Sequence, residues 1–216
     1  LNPTTNSFSI DTTFGVGGRI GLTTGMSGTN EGEFNAPFDV AVSPDGSEIS
    51  VSDSGNHRIQ QFDTNGVFIA TLGGQGTNVG QFDTLKGLAF DFATLYVGDS
   101  GNDRIAMITG ALFEGATGTN GAALAQFDGP INISLDDRAI YVADTGNNRI
   151  QSFKPPGPHS PFSADSSTIR FAVSTNLNQP AAIATTGNLT NEMFYVADTG
   201  NNRVLLYRLA TDDPTP

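Results

Sequence analysis

Four times along this chain a short phrase returns almost unchanged: DSGNHRIQQF from Asp53, DSGNDRIAMI from Asp99, DTGNNRIQSF from Asp144 and DTGNNRVLLY from Asp198. The steps between the aspartates are 46, 45 and 54 residues. A period of this size belongs to arrays of supersecondary units, each of which buries its apolar face only against its neighbours. A second landmark keeps the same step: Gly28-Thr29-Asn30, Gly76-Thr77-Asn78, Gly118-Thr119-Asn120 and the weaker Ser174-Thr175-Asn176. The first three are followed by Phe34, Phe82 and Phe127, and Pro37, Pro130 and Pro180 open the next run in three of the four units.

Each unit holds four short strand candidates. In the first unit they are Phe38–Val42, Glu48–Ser52, His57–Phe62 and Val67–Leu72, separated by turn chemistry at Ser43-Pro44-Asp45-Gly46, Asp53-Ser54-Gly55-Asn56 and Thr64-Asn65-Gly66. Four strands in a unit of this length make one blade of a β-propeller. The 26 glycines and the lack of sustained 3.6-residue apolar periodicity agree with an all-β chain of short strands. The expected fold is therefore an all-β propeller of four blades, each of four antiparallel strands.

The ends refine this expectation. The last unit has strand candidates at Ala181–Thr185, Met193–Ala197 and Arg203–Leu209 and lacks a fourth. Arg19–Thr24 precedes its Gly-Thr-Asn landmark as Val67–Leu72 precedes the next, so the N-terminal strand is expected to close the last blade. Five or six blades with incomplete or shared strands are the alternative. Residues 1–216 read as a single domain, with residues 1–18 as an extra N-terminal strand or arm containing Phe8–Phe14. Residues 154–167, which hold PPGPHSP, read as a Pro-rich surface insertion before an outer strand at Thr168–Val173, because Pro lacks the ladder donor.

Within the phrase, Asp ends the second strand and Arg begins the third, which makes it a hairpin turn. The expected structural brackets are Asp53, Gly55, Asn56 and Arg58; Asp99, Gly101, Asn102 and Arg104; Asp144, Gly146, Asn147 and Arg149; and Asp198, Gly200, Asn201 and Arg203. The glycines are expected to supply a positive φ, the carboxylates to accept turn N–H groups, and the guanidinium forks to reach carboxylate and carbonyls together. Four copies in step describe architecture, since a catalytic site needs only one constellation.

These residues resemble the NHL-repeat β-propellers, whose units carry G-x-F-x-x-P, an apolar strand and then V-A-D-T-G-N-N-R-I-Q. Tyr141–Gln151 and Tyr195–Val204 match that pattern closely, and the resemblance extends over roughly residues 20 to 208. It implies a rigid disc with two binding faces. Members of the family range from protein-binding and RNA-binding modules to lyases and lactonase-like hydrolases, and they are usually six-bladed, a count from which four repeats depart. Fold leaves function open.

The chain's own chemistry narrows the choice. A formal net charge of -12 repels the phosphate field that dominates nucleic-acid affinity, and no apolar run is long enough for a membrane span. No nucleic acid and no membrane insertion are expected. The absence of Cys removes thiolate chemistry and disulfides. A three-His zinc site of the lyase kind is impossible within one chain, because only His57 and His159 are present, and His57 reads as a solvent-facing variant of a variable turn position. Aligning the inner strands puts Asp39, Gly87, Asn132 and Ala182 in one column and Ala41, Ala89, Ser134 and Ala184 in another, with small residues facing the channel axis. Asp39 and Asn132 are the candidate oxygen ligands for a channel metal, calcium being the cation suggested. The acidic turns Asp136-Asp137 and Asp212-Asp213 lack a D-x-D-x-D-G loop and read as solvated surface. Of the sequons at Asn132 and Asn188, Asn188 is the candidate for glycosylation.

These features point to a non-enzymatic, extracellular or cell-surface propeller that binds other proteins or copies of itself, with no cofactor. The alternative is a metal-dependent hydrolase or lyase with its site at the central channel.

Overall fold

Short turns fix where every strand begins and ends. In the computed structural model, which describes residues 15, 19–21, 26–136, 139–154, 169–185 and 193–208, fifteen strands are joined without any helix longer than a three-residue 3-10 turn. The first blade comprises β1 (Pro37–Val42), β2 (Glu48–Asp53), β3 (Arg58–Asp63) and β4 (Phe68–Gly73), paired antiparallel in that order. The second comprises β5 (Leu85–Asp91), β6 (Thr94–Asp99), β7 (Arg104–Thr109) and β8 (Leu112–Thr117). In the third, β9 (Pro130–Leu135), β10 (Ile140–Asp144), β11 (Arg149–Phe153) and β12 (Ile169–Val173) repeat the arrangement. The fourth holds β13 (Pro180–Thr185), β14 (Met193–Asp198) and β15 (Arg203–Arg208). Strand limits expected from the alternation and the turns hold to within about one residue.

Register is the same in every blade: Asp53 faces Arg58, Asp99 faces Arg104, Asp144 faces Arg149 and Asp198 faces Arg203. The inner strands stand side by side, β5 against β1, β9 against β5 and β13 against β9. Because the sheets stack face to face, each blade presents one surface to the blade before it and the other to the blade after it. Ala41, Ile59 and Leu72 of the first blade pack on Leu88, Leu95, Val97, Ala106 and Ile108 of the second. Tyr96, Ile105 and Met107 then pack on Ile133, Ile140, Val142 and Phe153 of the third, and Tyr141, Ala143 and Ile150 on Ile183, Phe194 and Val196 of the fourth. Burial of one Ile side chain in such a core contributes about 2 kcal/mol. Three apolar seams therefore hold four blades.

Two parts of the channel reading change. Ala41 is buried in the seam between the first two blades and Ala89 packs in the seam between the second and third, so this column does not simply line an axis. The inner strands β5 and β9 also approach one another so closely that no side chain fits between them at position 87. At Gly87 a Cβ would come within 2.7 Å of the Asn132 Cα, which is why glycine stands there.

Of the expected closing strand Arg19–Thr24, the described residues Arg19–Gly21 lie with Gly15 beside the first blade: Gly15 N–H donates to the Asn65 carbonyl at 2.7 Å, and Gly21 faces the Phe34 ring. Phe8–Phe14, residues 155–167 of the insertion and Asn188 fall outside the described residues.

Candidate functional site

The repeated phrase is built as a clamp. In the first blade the Asp53 carboxylate, without solvent exposure, accepts from Asn35 N–H at 2.6 Å, Asn56 Nδ2 at 2.8 Å and Arg58 Nε at 2.7 Å. The two terminal nitrogens of Arg58 donate to the carbonyls of Thr29, Asn30 and Glu33 at 2.7, 2.8 and 2.9 Å. Arg104 repeats this with Thr77, Asn78 and Gln81, and Arg149 with Ala122, Ala123 and Gln126. One planar fork thus ties the turn of the phrase to the loop that begins at the Gly-Thr-Asn landmark, which is why the two landmarks keep step. Arg203 has a smaller set, Asp198 and the Asn176 carbonyl.

The glycines have a different reason from the one expected. Positive φ falls on the following variable residue, His57, Asp103, Asn148 and Asn202, at 52° to 54°. Asn, Asp and His tolerate that conformation better than most residues. Gly55, Gly101, Gly146 and Gly200 instead lie against backbone: each N–H donates at 2.8 Å to the carbonyl of Asn35, Asp83, Asp128 or Asn178, and a Cβ would meet that same oxygen at 2.7 Å. Close approach selects glycine here.

The variable position also carries a contact that sequence reasoning missed. His57 Nδ1 accepts from Thr84 N–H at 3.2 Å, Asp103 Oδ1 from Gly129 N–H at 2.7 Å, and Asn148 Oδ1 from Gln179 N–H at 2.7 Å. All three bonds cross from one blade to the next. His57 is accordingly a seam residue, correcting its reading as a solvent-facing variant. The shared signal is that His, Asp and Asn all offer an acceptor on a short side chain. Beside it, the hydroxyls of Ser54, Ser100 and Thr145 donate to the carbonyls of Leu85, Pro130 and Pro180 at the start of the next inner strand.

Asp39 and Asn132 belong to the same system. Asp39 Oδ2 accepts from Leu88 N–H at 2.9 Å and Asn132 Oδ1 from Ile183 N–H at 2.9 Å. Each oxygen stitches its inner strand to the next one, and β5 stands between the two strands. Among the described residues, no three His, Asp or Glu side chains gather where they could hold a metal ion.

Electrostatics separates the clamps. Burial pushes the Asp144 carboxyl above its ordinary value against the pull of Asp128 N–H, Arg149 and Asn147. At Asp198 the same push is outweighed by Asn178 N–H, Asn201 and Arg203, leaving the carboxyl below its ordinary value. Among the described residues the third blade has neighbours on both sides, whereas the fourth has one.

That difference becomes plain at the two ends of the stack. Val40 is 59% exposed, although its equivalents Leu88, Ile133 and Ile183 are 5%, 3% and 7% exposed. At the far end Val204 is 68% exposed, although Ile59, Ile105 and Ile150 are fully buried. Phe38 and Val42 flank Val40, and Tyr195 and Leu206 flank Val204, all large and exposed. Each end of the stack thus leaves several large apolar side chains exposed, with Lys86 Nζ lying 4.8 Å from the Phe38 ring centre.

No family model matches this chain. A segment of 82 residues, 38% of the chain, is 35% identical to RING finger protein nhl-1 of Caenorhabditis elegans, and covers 8% of that protein. Among solved structures, the chain resembles Kuenenia stuttgartiensis hydrazine synthase at a TM-score of 0.54 and 17% identity, covering 88% of this chain and 53% of that one. A chain of a nidogen/laminin complex aligns at a TM-score of 0.59 and 18% identity over 82% of this chain and 60% of its own length. A protein from Desulfotomaculum acetoxidans aligns at 0.56 and 18%, over 76% of this chain and 50% of its own length. The chain thus spans about half of the solved chains it matches and a small part of the curated relative. With the blade geometry above, these likenesses show an all-β chain of four propeller blades.

Proposed function

We propose that this chain is a non-enzymatic, extracellular module of the NHL-repeat type that acts by binding protein, another protein or its own kind. The observation that carries the reading is the pair of uncovered apolar faces, Phe38, Val40 and Val42 at one end and Tyr195, Val204 and Leu206 at the other. In the first three blades the polar groups of the repeated phrase are meanwhile taken up in holding blades together. Support for an extracellular setting comes from composition: two Lys, no Cys and a net charge of -12. No helix among the described residues is long and apolar enough to cross a membrane.

The test is a photo-crosslinking amino acid placed at Phe38 and, as a control, at exposed Lys154, in cells that produce the chain. Protein adducts are expected from position 38 in excess of those from position 154. Equal yields at the two positions would sink the reading.

A further inference from the structure

The two end faces are not merely apolar. Together they make up the two halves of a junction that the molecule already forms three times. In each internal junction the leading blade offers a hydroxyl, an acceptor on the variable turn residue, and an aliphatic residue on the third strand. These are Ser54, His57 and Ile59, then Ser100, Asp103 and Ile105, then Thr145, Asn148 and Ile150. The trailing blade offers a strand-start carbonyl, the N–H of the residue before it, and an aliphatic residue three positions into the strand. These are Leu85, Thr84 and Leu88, then Pro130, Gly129 and Ile133, then Pro180, Gln179 and Ile183.

The fourth blade repeats the leading set as Thr199, Asn202 and Val204, and among the described residues the Thr199 and Asn202 side chains have no hydrogen-bond partner. The first blade repeats the trailing set as Pro37, Ala36 and Val40. Even the backbone is prepared: Ala36 has a φ of 48°, the conformation that Thr84, Gly129 and Gln179 adopt at 52°, 57° and 48°.

We propose that the face of the fourth blade docks on the face of the first blade of a second copy of this chain, head to tail. In the docked pair the Thr199 hydroxyl donates to the Pro37 carbonyl, the Asn202 side-chain oxygen accepts from Ala36 N–H, and Val204 packs against the Val40 face. The partner is a second copy because three internal precedents define what each face accepts, and this chain itself carries both faces. The contact is heterologous, so each copy keeps one unused face, and association continues until a ring closes. This inference rests on the reading of the chain as a protein-binding module.

Sedimentation velocity on the purified chain over a range of concentrations tests it, with Val40→Asp and Val204→Asp as variants at exposed positions and circular dichroism to verify their strands. The wild type is expected to gain mass with concentration. Each variant alone loses association, because all its copies lack the same face, and an equimolar mixture of the two stops at a dimer, because one good head meets one good tail. A wild type that stays monomeric overturns the proposal, as do variants that associate like the wild type and a mixture that stays monomeric. If the wild type is monomeric while position 38 still crosslinks to a different protein, the second copy is wrong and the protein-binding reading stands. If neither is seen, both fall.

Discussion

At the scale of single residues, the clamp arginines are chemically alike and energetically unlike. Arg149 is buried, pairs with a fully buried Asp144 at 2.7 Å and satisfies three carbonyls. Its replacement by Ala would leave an unpaired buried carboxylate, and breaking such a pair from one side costs about 3–5 kcal/mol. Arg203, whose side chain is 41% exposed, bonds Asp198 and one carbonyl. Arg203→Ala is expected to cost less than Arg149→Ala, because its exposed guanidinium is already partly solvated and satisfies fewer carbonyls, although the Asp198 carboxylate is itself without solvent exposure. Urea denaturation of the two variants measures the difference, and equal losses would contradict the contrast drawn between inner and end clamps. Arg149→Lys should restore little of the Arg149→Ala loss, since an ammonium cannot hold four acceptors in the plane of a fork.

At the scale of the element, the fold was legible because each strand is bounded by turn residues whose constraints are local. The junctions were less so. That Asp39 and Asn132 are polar residues on inner strands could be read directly, but their bonds to Leu88 and Ile183 N–H join residues about fifty positions apart, which no local pattern encodes. The seam role of His57, Asp103 and Asn148 was hidden for the same reason: a variable turn position looks unconstrained until its blade has a neighbour. Gly87 is the sharpest case. In the sequence it is one small residue in a column, whereas in the fold its missing Cβ lets β5 approach β9, with Asn132 Cα, Ile131 O and Ile133 N within 2.7, 2.8 and 3.0 Å of where that atom would sit. Since all three are backbone atoms, no side-chain rotation can make room. Gly87→Ala is expected to destabilise the chain by about 1–3 kcal/mol through overpacking. Gly46→Ala, where a Cβ meets nothing within 4 Å, tests the alternative that any lost glycine does the same. There the cost is that of a positive φ alone, about 1 kcal/mol, and thermal melts of the two variants separate the mechanisms.

For the whole molecule, a stack in which each unit touches only its neighbours behaves as a one-dimensional array, whose stability is a sum of blade terms and junction terms. Among the described residues the second and third blades each have two junctions, and the first and fourth have one. Opening an end blade therefore breaks one seam, whereas opening an inner blade breaks two. Amide hydrogen exchange on a dilute sample should be slowest in β6 and β10, between two seams, and fastest in β1 and β15. Raising the concentration should slow exchange selectively in β1 and β15, because head-to-tail docking gives each end blade its second seam and leaves the middle unchanged. Uniform protection along the chain at every concentration would mean that the four blades open as one unit, and that the seams do not set the stability of each blade.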